Sequence, residues 1–375
     1  MNCKTLKLDI KTKSYKFMEV INECGNKKIV LFGAGKGSVW AIKLLNKYGV
    51  LISCIVDNDI IKQGEKILDI PIVSLSSALL IKEEKDTVIL ITSPRYESEI
   101  REYLFGKINL SNIYSFECEL YYQYIQDVEE YRNYLINKFD DIIKLFSNFE
   151  DEISKNTLEN VILGRLTANL DYFRQICTED QYLPKDIINL DSNEFIVDAG
   201  AGIGDTLIEL YDRLGDNYEH IYSFEPDDKC YLKASSVILN NNMKKVTIFK
   251  KGLWSNDSIL YFKESDIQGS SKTVENNNNL YLTEIEVVTL DSIIKTPISF
   301  IKMDIEGAEL DALKGAQKLI KKYKPKMAIC VYHKNEDIIE IPNFIKLLVP
   351  EYKLFLRHHN ISGTETVLYA VIRDK

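Results

Sequence analysis

Two short stretches of the 375-residue chain carry residue types at spacings suited to chemistry. In Ile196-Val-Asp-Ala-Gly-Ala-Gly-Ile-Gly-Asp-Thr206 an apolar run reaches Asp198 and then a turn containing Gly200, Gly202 and Gly204. In Ile221-Tyr-Ser-Phe-Glu-Pro-Asp227 a second apolar run ends on Glu225, followed by Pro226 and Asp227. Glycines let the backbone approach a ligand, and an acid at the end of the next strand is placed for the hydroxyls of a ribose. Together they make a cradle for a nucleoside. A dinucleotide fingerprint reads G-x-G-x-x-G, with pyrophosphate on the helix dipole. Here the spacing is G-x-G-x-G, with Asp198 before it and Asp205 after it. Acids beside the turn are poor company for phosphates. They suit a cationic ligand, and S-adenosylmethionine (SAM) has an ammonium, a sulfonium and a ribose. The turn taken alone favours SAM but leaves NAD open.

Ligands of open α/β sheets bind beyond the carboxyl ends of the strands. The run Phe300-Ile-Lys-Met303 delivers Asp304, Glu306 and Gly307, and Met327 to Tyr332 delivers His333. Tyr352 to Arg357 delivers His358 and His359, so three of the four histidines fall at strand ends on one rim. An acid and an imidazole there can take a proton from a weakly acidic hydroxyl. His333 and Asp304 are the candidates. Lys302 is either a cation for an anionic acceptor or a surface lysine. Glu309 reads as a helix-start acid only, complementing the dipole, and His358 and His359 as exposed side chains. Asp304 with Glu306 could hold Mg²⁺, but two acids are a thin basis and no metal is expected.

These residues need strands and helices to carry them. Alternating apolar runs and helical periodicity predict a parallel α/β unit over 1–117, with strands at 28–32, 51–56, 87–92 and 112–116. Ser93-Pro94 reads as a helix start. Residues 118–190 lose the alternation and show apolar and aromatic positions at helical spacing, including Tyr121, Tyr124, Ile125, Phe139, Ile142, Ile143 and Phe146; they predict a helical connector. Alternation resumes over 191–375, with strands expected at 195–198, 221–225, 246–250, 258–262, 285–289, 299–303, 327–332, 352–356 and 366–373. One helix is expected from about Asp304 to Lys322, stopped by Pro325.

The first unit has its own glycine turn, Gly33-Ala-Gly-Lys-Gly37, with Asp57 beyond the next strand. The third glycine comes one residue early, and Ser38 stands where the full pattern wants it. A nucleotide or nucleotide-sugar is a candidate ligand there. A docking or dimerisation domain with a vestigial turn is the competing reading.

The formal net charge of −9 argues against a general nucleic-acid binder. The seven cysteines are scattered without a C-x-x-C pair, which speaks against a zinc site or disulfide framework. The N-terminus lacks the apolar core of a signal peptide, and no run is long enough to span a bilayer. A cytoplasmic protein is expected.

The order of Val197-Asp-Ala-Gly-Ala-Gly-Ile-Gly-Asp-Thr206, Ser223-Phe-Glu-Pro-Asp227, Lys250-Lys-Gly-Leu-Trp-Ser255, Ile301-Lys-Met-Asp-Ile-Glu-Gly-Ala-Glu309 and Ile329-Cys-Val-Tyr-His333 resembles the FkbM family of SAM-dependent methyltransferases. The resemblance covers about residues 181–373. It implies a class I methyltransferase fold, a seven-stranded Rossmann-like sheet ending in an antiparallel hairpin. It also implies methylation of small-molecule or glycan hydroxyls, less often amines. On this resemblance Asp198, Gly200, Gly202 and Gly204 line the methionine part of SAM. Glu225 binds the ribose diol, with Pro226 and Asp227 nearby, and Gly252 and Leu253 lie near the adenine. Asp304 and Glu306 face the methyl-transfer side, Ser270 belongs to a Ser-rich loop near the acceptor, and Gln181-Tyr182 matches a lead-in before the first strand. The N-terminal unit resembles small Rossmann-like modules found beside sugar-modifying enzymes. Two rival functions stand beside this one: an NAD-dependent sugar oxidoreductase, and a non-catalytic scaffold that binds SAM or a nucleotide-sugar.

Overall fold

The computed structural model describes residues 3–13, 21–22, 27–80, 87–93, 96–115, 128–263, 272–274, 282–361 and 363–372. It divides into two compact units, one of Asn2–Asn137 with Val161–Tyr172, the other of Lys138–Asn160 with Phe173–Lys375.

In the first unit the strands are β1 (Lys28–Phe32), β2 (Ile52–Val56), β3 (Lys66–Ile67), β4 (Ile70–Val73), β5 (Thr87–Ile91) and β6 (Ile113–Ser115). They lie in the order β3-β4-β2-β1-β5-β6. Only the β3–β4 pair is antiparallel. All five residues of β1 are buried, Lys28 among them, and its apolar run Ile29–Phe32 suits a central parallel strand. β3 and β4 are additional to the strands expected. They are too short to show alternation, and Pro71 argues against a strand. Their turn places Leu68 and Asp69 at φ of 46° and 68°. The helix expected from Ser93 begins at Glu97, and Pro94 lies outside the described residues. At the glycine turn the Asp57 carboxylate accepts the Ala34 N–H at 2.7 Å. The Ser38 hydroxyl is fully buried against Thr92.

In the second unit β7 (Phe195–Ala199), β8 (His220–Phe224), β9 (Val246–Phe249), β10 (Gly252–Leu253), β11 (Ser258–Lys263), β12 (Lys272–Val274), β13 (Leu282–Val288), β14 (Phe300–Met303), β15 (Lys326–Cys330), β16 (Lys353–His358) and β17 (Thr366–Val371) follow in turn. Seven of them form one sheet in the order β16-β17-β15-β14-β7-β8-β9. The strands from β15 to β9 run parallel, and β17 is antiparallel to both β15 and β16. This is the expected seven-stranded sheet with its terminal antiparallel hairpin. A four-stranded sheet, β10-β13-β11-β12, stands beside it.

The helices explain themselves locally. Asp227 caps Asp228–Asn240 by accepting the Cys230 N–H at 2.9 Å. Helix Phe139–Asn148 buries Phe139, Ile142, Leu145 and Phe146, and leaves Ile143 half-exposed. Tyr121, Tyr124 and Ile125 lie outside the described residues. The single helix expected after Asp304 is two, Glu309–Lys314 and Gln317–Tyr323. The break falls at Gly315, whose backbone packs so closely on the Trp254 carbonyl that no Cβ fits.

The core of this unit is the sandwiched sheet: Ile196, Val197, Ile301, Met303, Met327 and Ile329 are fully buried. The register pairs Met303 with Ala199 and with Ile329, and Ala199 with Phe224. The residues that follow β7, β8, β14 and β15 therefore emerge side by side on one rim.

Candidate active site

The glycine turn begins where β7 runs into Gly200. This residue sits at φ +82°, and a Cβ there would overlap the carbonyl oxygen of Asp304. The Asp304 N–H in turn donates to the Ala199 carbonyl at 3.0 Å. The turn after β7 and the end of β14 thus share one backbone seam. Glu225, 7% exposed, accepts the Gly202 N–H at 2.8 Å and the Asp227 N–H at 2.9 Å. Burial raises its pKa, and these two N–H groups oppose the rise. Each oxygen retains lone-pair capacity for a ligand hydroxyl. A Cβ on Gly202 would meet only the Asp205 carboxylate, at 3.9 Å, so the outer side of the turn is open space. Gly252 and Leu253 form β10, which brings Gly252 against Pro226.

Asp198 and Lys302 have a different place from the one expected. Asp198 is fully buried, accepts the Ser223 hydroxyl at 2.9 Å, and lies 3.2 Å from the Lys302 ammonium. Lys302 is 2% exposed and donates to the Gly200 carbonyl at 2.6 Å. It is neither a surface lysine nor open to an acceptor. Its cross-strand position opposite Asp198 points it under the turn, where it holds the Gly200 carbonyl. Burial penalises both charges, and each is the other's compensation.

A second group of polar side chains gathers around Asp304. Its carboxylate accepts the Tyr182 hydroxyl at 2.7 Å and the Tyr332 hydroxyl at 3.3 Å. His333 Nε2 lies 3.3 Å from Asp304 and 3.7 Å from Glu306. His333 Nδ1 lies 2.8 Å from Glu309, whose carboxylate also accepts the Ile305 N–H at 2.9 Å. Glu365 adds a fourth carboxylate, reached by Tyr332 at 3.4 Å and held by Gln181. Burial alone would make His333 neutral, but Glu309, Asp304 and Glu306 outweigh it and raise the imidazole to about 10. Partial burial, then the charges of Asp304, Glu309 and Glu365, raise Glu306 to about 7 against the pull of His333. Asp304 is lowered, because His333 and Lys302 overcome the effect of burial.

The structure therefore brings Asp304, Glu306 and His333 together and joins Tyr182 to them. It corrects the reading of Glu309. That residue opens its helix, but its side chain is fully buried and turned back onto His333. His358 and His359 are not exposed side chains either. His358 is fully buried beside Phe173 and the Thr366 hydroxyl, and His359 packs on Tyr369 and the Thr178 carbonyl. Ser270 lies outside the described residues. Tyr332 and Glu365 carried no signal of spacing. The first is only the neighbour of His333, and the second stands in the turn between β16 and β17.

Comparison with known proteins identifies the family. Residues 198–359 match the family model of the methyltransferase FkbM domain, and residues 25–113 match a model described as C2185-like, N-terminal. Methyltransferase sdnD of Sordaria araneosa is 30% identical over 206 residues, which cover 45% of this chain and 76% of that protein. The crystal structure of methyltransferase FkbM from Methylobacillus flagellatus KT superposes with a TM-score of 0.74, at 23% identity, over 98% of each chain. Among the described residues no helix is long and apolar enough to cross a membrane. The match to the FkbM domain model, the 30% identity to a methyltransferase covered over 76% of its length, and the shared fold place the chain in the FkbM family of methyltransferases.

Proposed function

We propose that the chain transfers a methyl group from SAM to a hydroxyl, in preference to an amine, of a glycan or nucleotide-linked sugar. A role in bacterial surface polysaccharide or glycoprotein modification, within the cytoplasm, fits such an acceptor. The observation that carries the reading is the backbone seam between Gly200 and Asp304, which sets a donor cradle directly against an acceptor pocket.

The residues fit the donor. Glu225 keeps lone pairs for a ribose diol, Gly202 leaves open space beside it, and the Asp198–Lys302 pair fixes the turn. SAM supplies a methyl carbon already activated on a sulfonium. What the protein must add is position and dryness. Asp304 and His333 are proposed to receive the acceptor hydroxyl, and Tyr182, Tyr332, Glu306 and Glu365 offer donors and acceptors to further oxygens of a polyol. Incubation of the full chain with SAM and a panel of glycans and nucleotide-sugars should give a product heavier by one methyl in mass spectrometry. SAM bound without transfer to any acceptor would favour the scaffold reading.

We further propose a nucleotide or nucleotide-sugar at the first unit. The Asp57–Ala34 contact repeats the Glu225–Gly202 contact of the donor cradle at nearly the same distance. Thermal denaturation of the full chain should shift upward with a UDP- or GDP-sugar, and Asp57→Ala should remove the shift. No shift with any nucleotide makes this unit a docking module.

A further inference from the structure

We propose that the acceptor pocket binds a divalent cation of the Mn²⁺ and Mg²⁺ class on Asp304, Glu306 and His333, with Glu309 seating the imidazole from behind. The use given to the ion rests on the methyl-transfer reading; its binding does not.

The first ground is geometry. Donor atoms of Asp304, Glu309 and His333 all lie within 4.8 Å of one another. His333 Nε2 faces oxygens of Asp304 at 3.3 Å and of Glu306 at 3.7 Å. Such separations are those of neighbouring ligand atoms around one ion, given metal–ligand bonds of about 2.0–2.2 Å. They are long for a charge-assisted hydrogen bond, which runs to about 2.7–2.9 Å. The second ground is the imidazole itself. Its side chain is 9% exposed, yet Nε2 has no hydrogen-bond partner among the described residues. A buried polar group without a proper partner calls for one.

The third ground is charge. Asp304, Glu306, Glu309 and Glu365 crowd one imidazole, and the nearby ammonium of Lys302 is committed to Asp198 and Gly200. A dication would balance this excess. The fully buried carboxylate of Glu309 on Nδ1 is the arrangement that orients a metal-bound histidine and fixes its tautomer. Two carboxylates and one imidazole leave room in an octahedral shell for oxygens of the acceptor. Bound to the ion, an acceptor hydroxyl becomes more acidic. As its oxygen attacks the methyl carbon, the carbon–sulfur bond breaks with its electron pair going to sulfur. The hydroxyl proton passes to a pocket carboxylate.

The test titrates the full chain, stripped with EDTA and desalted, with MnCl₂, following free Mn²⁺ by electron paramagnetic resonance. One site per chain is expected, and pulsed spectra of the bound ion should show coupling to an imidazole nitrogen. Asp304→Asn and His333→Ala should each weaken uptake at least tenfold. Glu309→Gln, which leaves the ligands in place, should weaken it by about 10- to 100-fold. Calorimetry with SAM on the same samples reports whether the variants are folded, and separates failure of the ion site from failure of the donor site. No uptake by the native chain, uptake without nitrogen coupling, or uptake indifferent to His333 and Asp304 overturns the proposal. In the first case the imidazolium is itself the cation of the pocket.

Discussion

Replacing Glu225 by Ala should lower SAM affinity by about 100-fold or more in calorimetry. The carboxylate sits at the end of β8 with both oxygens fixed by backbone N–H groups. A bond from a hydroxyl to a charged group is worth about 1.5–3 kcal/mol, so two of them from a ribose sum to about 3 kcal/mol or more. At about 1.4 kcal/mol per decade that is at least two decades. The substitution also strands the N–H groups of Gly202 and Asp227, which loosens the turn that faces the ligand. Glu225→Gln keeps one acceptor oxygen and should lose roughly tenfold. Affinity unchanged in the alanine variant would move the donor elsewhere, and Asp57 would be the next acid to test.

The second large effect is on turnover. His333→Ala should leave SAM affinity within about twofold and lower kcat by about 10²- to 10⁴-fold, the range for a group that handles the acceptor proton. Among the described residues the carboxylates that His333 contacts are Asp304, Glu306 and Glu309, none of them part of the Glu225 cradle. The effect should therefore fall on kcat and not on donor binding. The same split follows whether the charged imidazole holds Asp304 in place for the proton or, once neutral, holds an ion that acidifies the hydroxyl. A kcat equal to that of the native chain would make His333 a packing residue. Single-turnover kinetics at saturating SAM would decide this without interference from product release.

Much of this site was legible before the fold was known, for a definite reason. Glu225, Asp304 and His333 each follow an apolar run, and in a parallel sheet the end of such a run is a place on one rim. Strand ends can be read to within a residue or two when the strand is fully buried. Side-chain direction cannot. Lys302 looked available because lysine is usually exposed, but its place opposite Asp198 in the ladder turned it inward. Glu309 looked like a dipole acid because it does open a helix. Only tertiary packing shows that its carboxylate folds back onto His333. The split of the expected helix at Gly315 was hidden for the same reason, since the backbone there packs on the carbonyl of Trp254, far away in sequence. The short pair β3 and β4 escaped because two and four residues are too few to show a period.

The close approach of Gly200 to Asp304 has a consequence for anyone wishing to redirect the enzyme. With no room for even a methyl group between the two backbones, residue 200 cannot be varied, and the main chain at 304 cannot be shifted to enlarge the pocket. On the proposed reading the glycine turn is a fixed jig for the acceptor. New acceptor preference has to be engineered through side chains that reach the pocket from other segments, such as Tyr182, Tyr332 and Glu365, which can change size or charge without disturbing the jig.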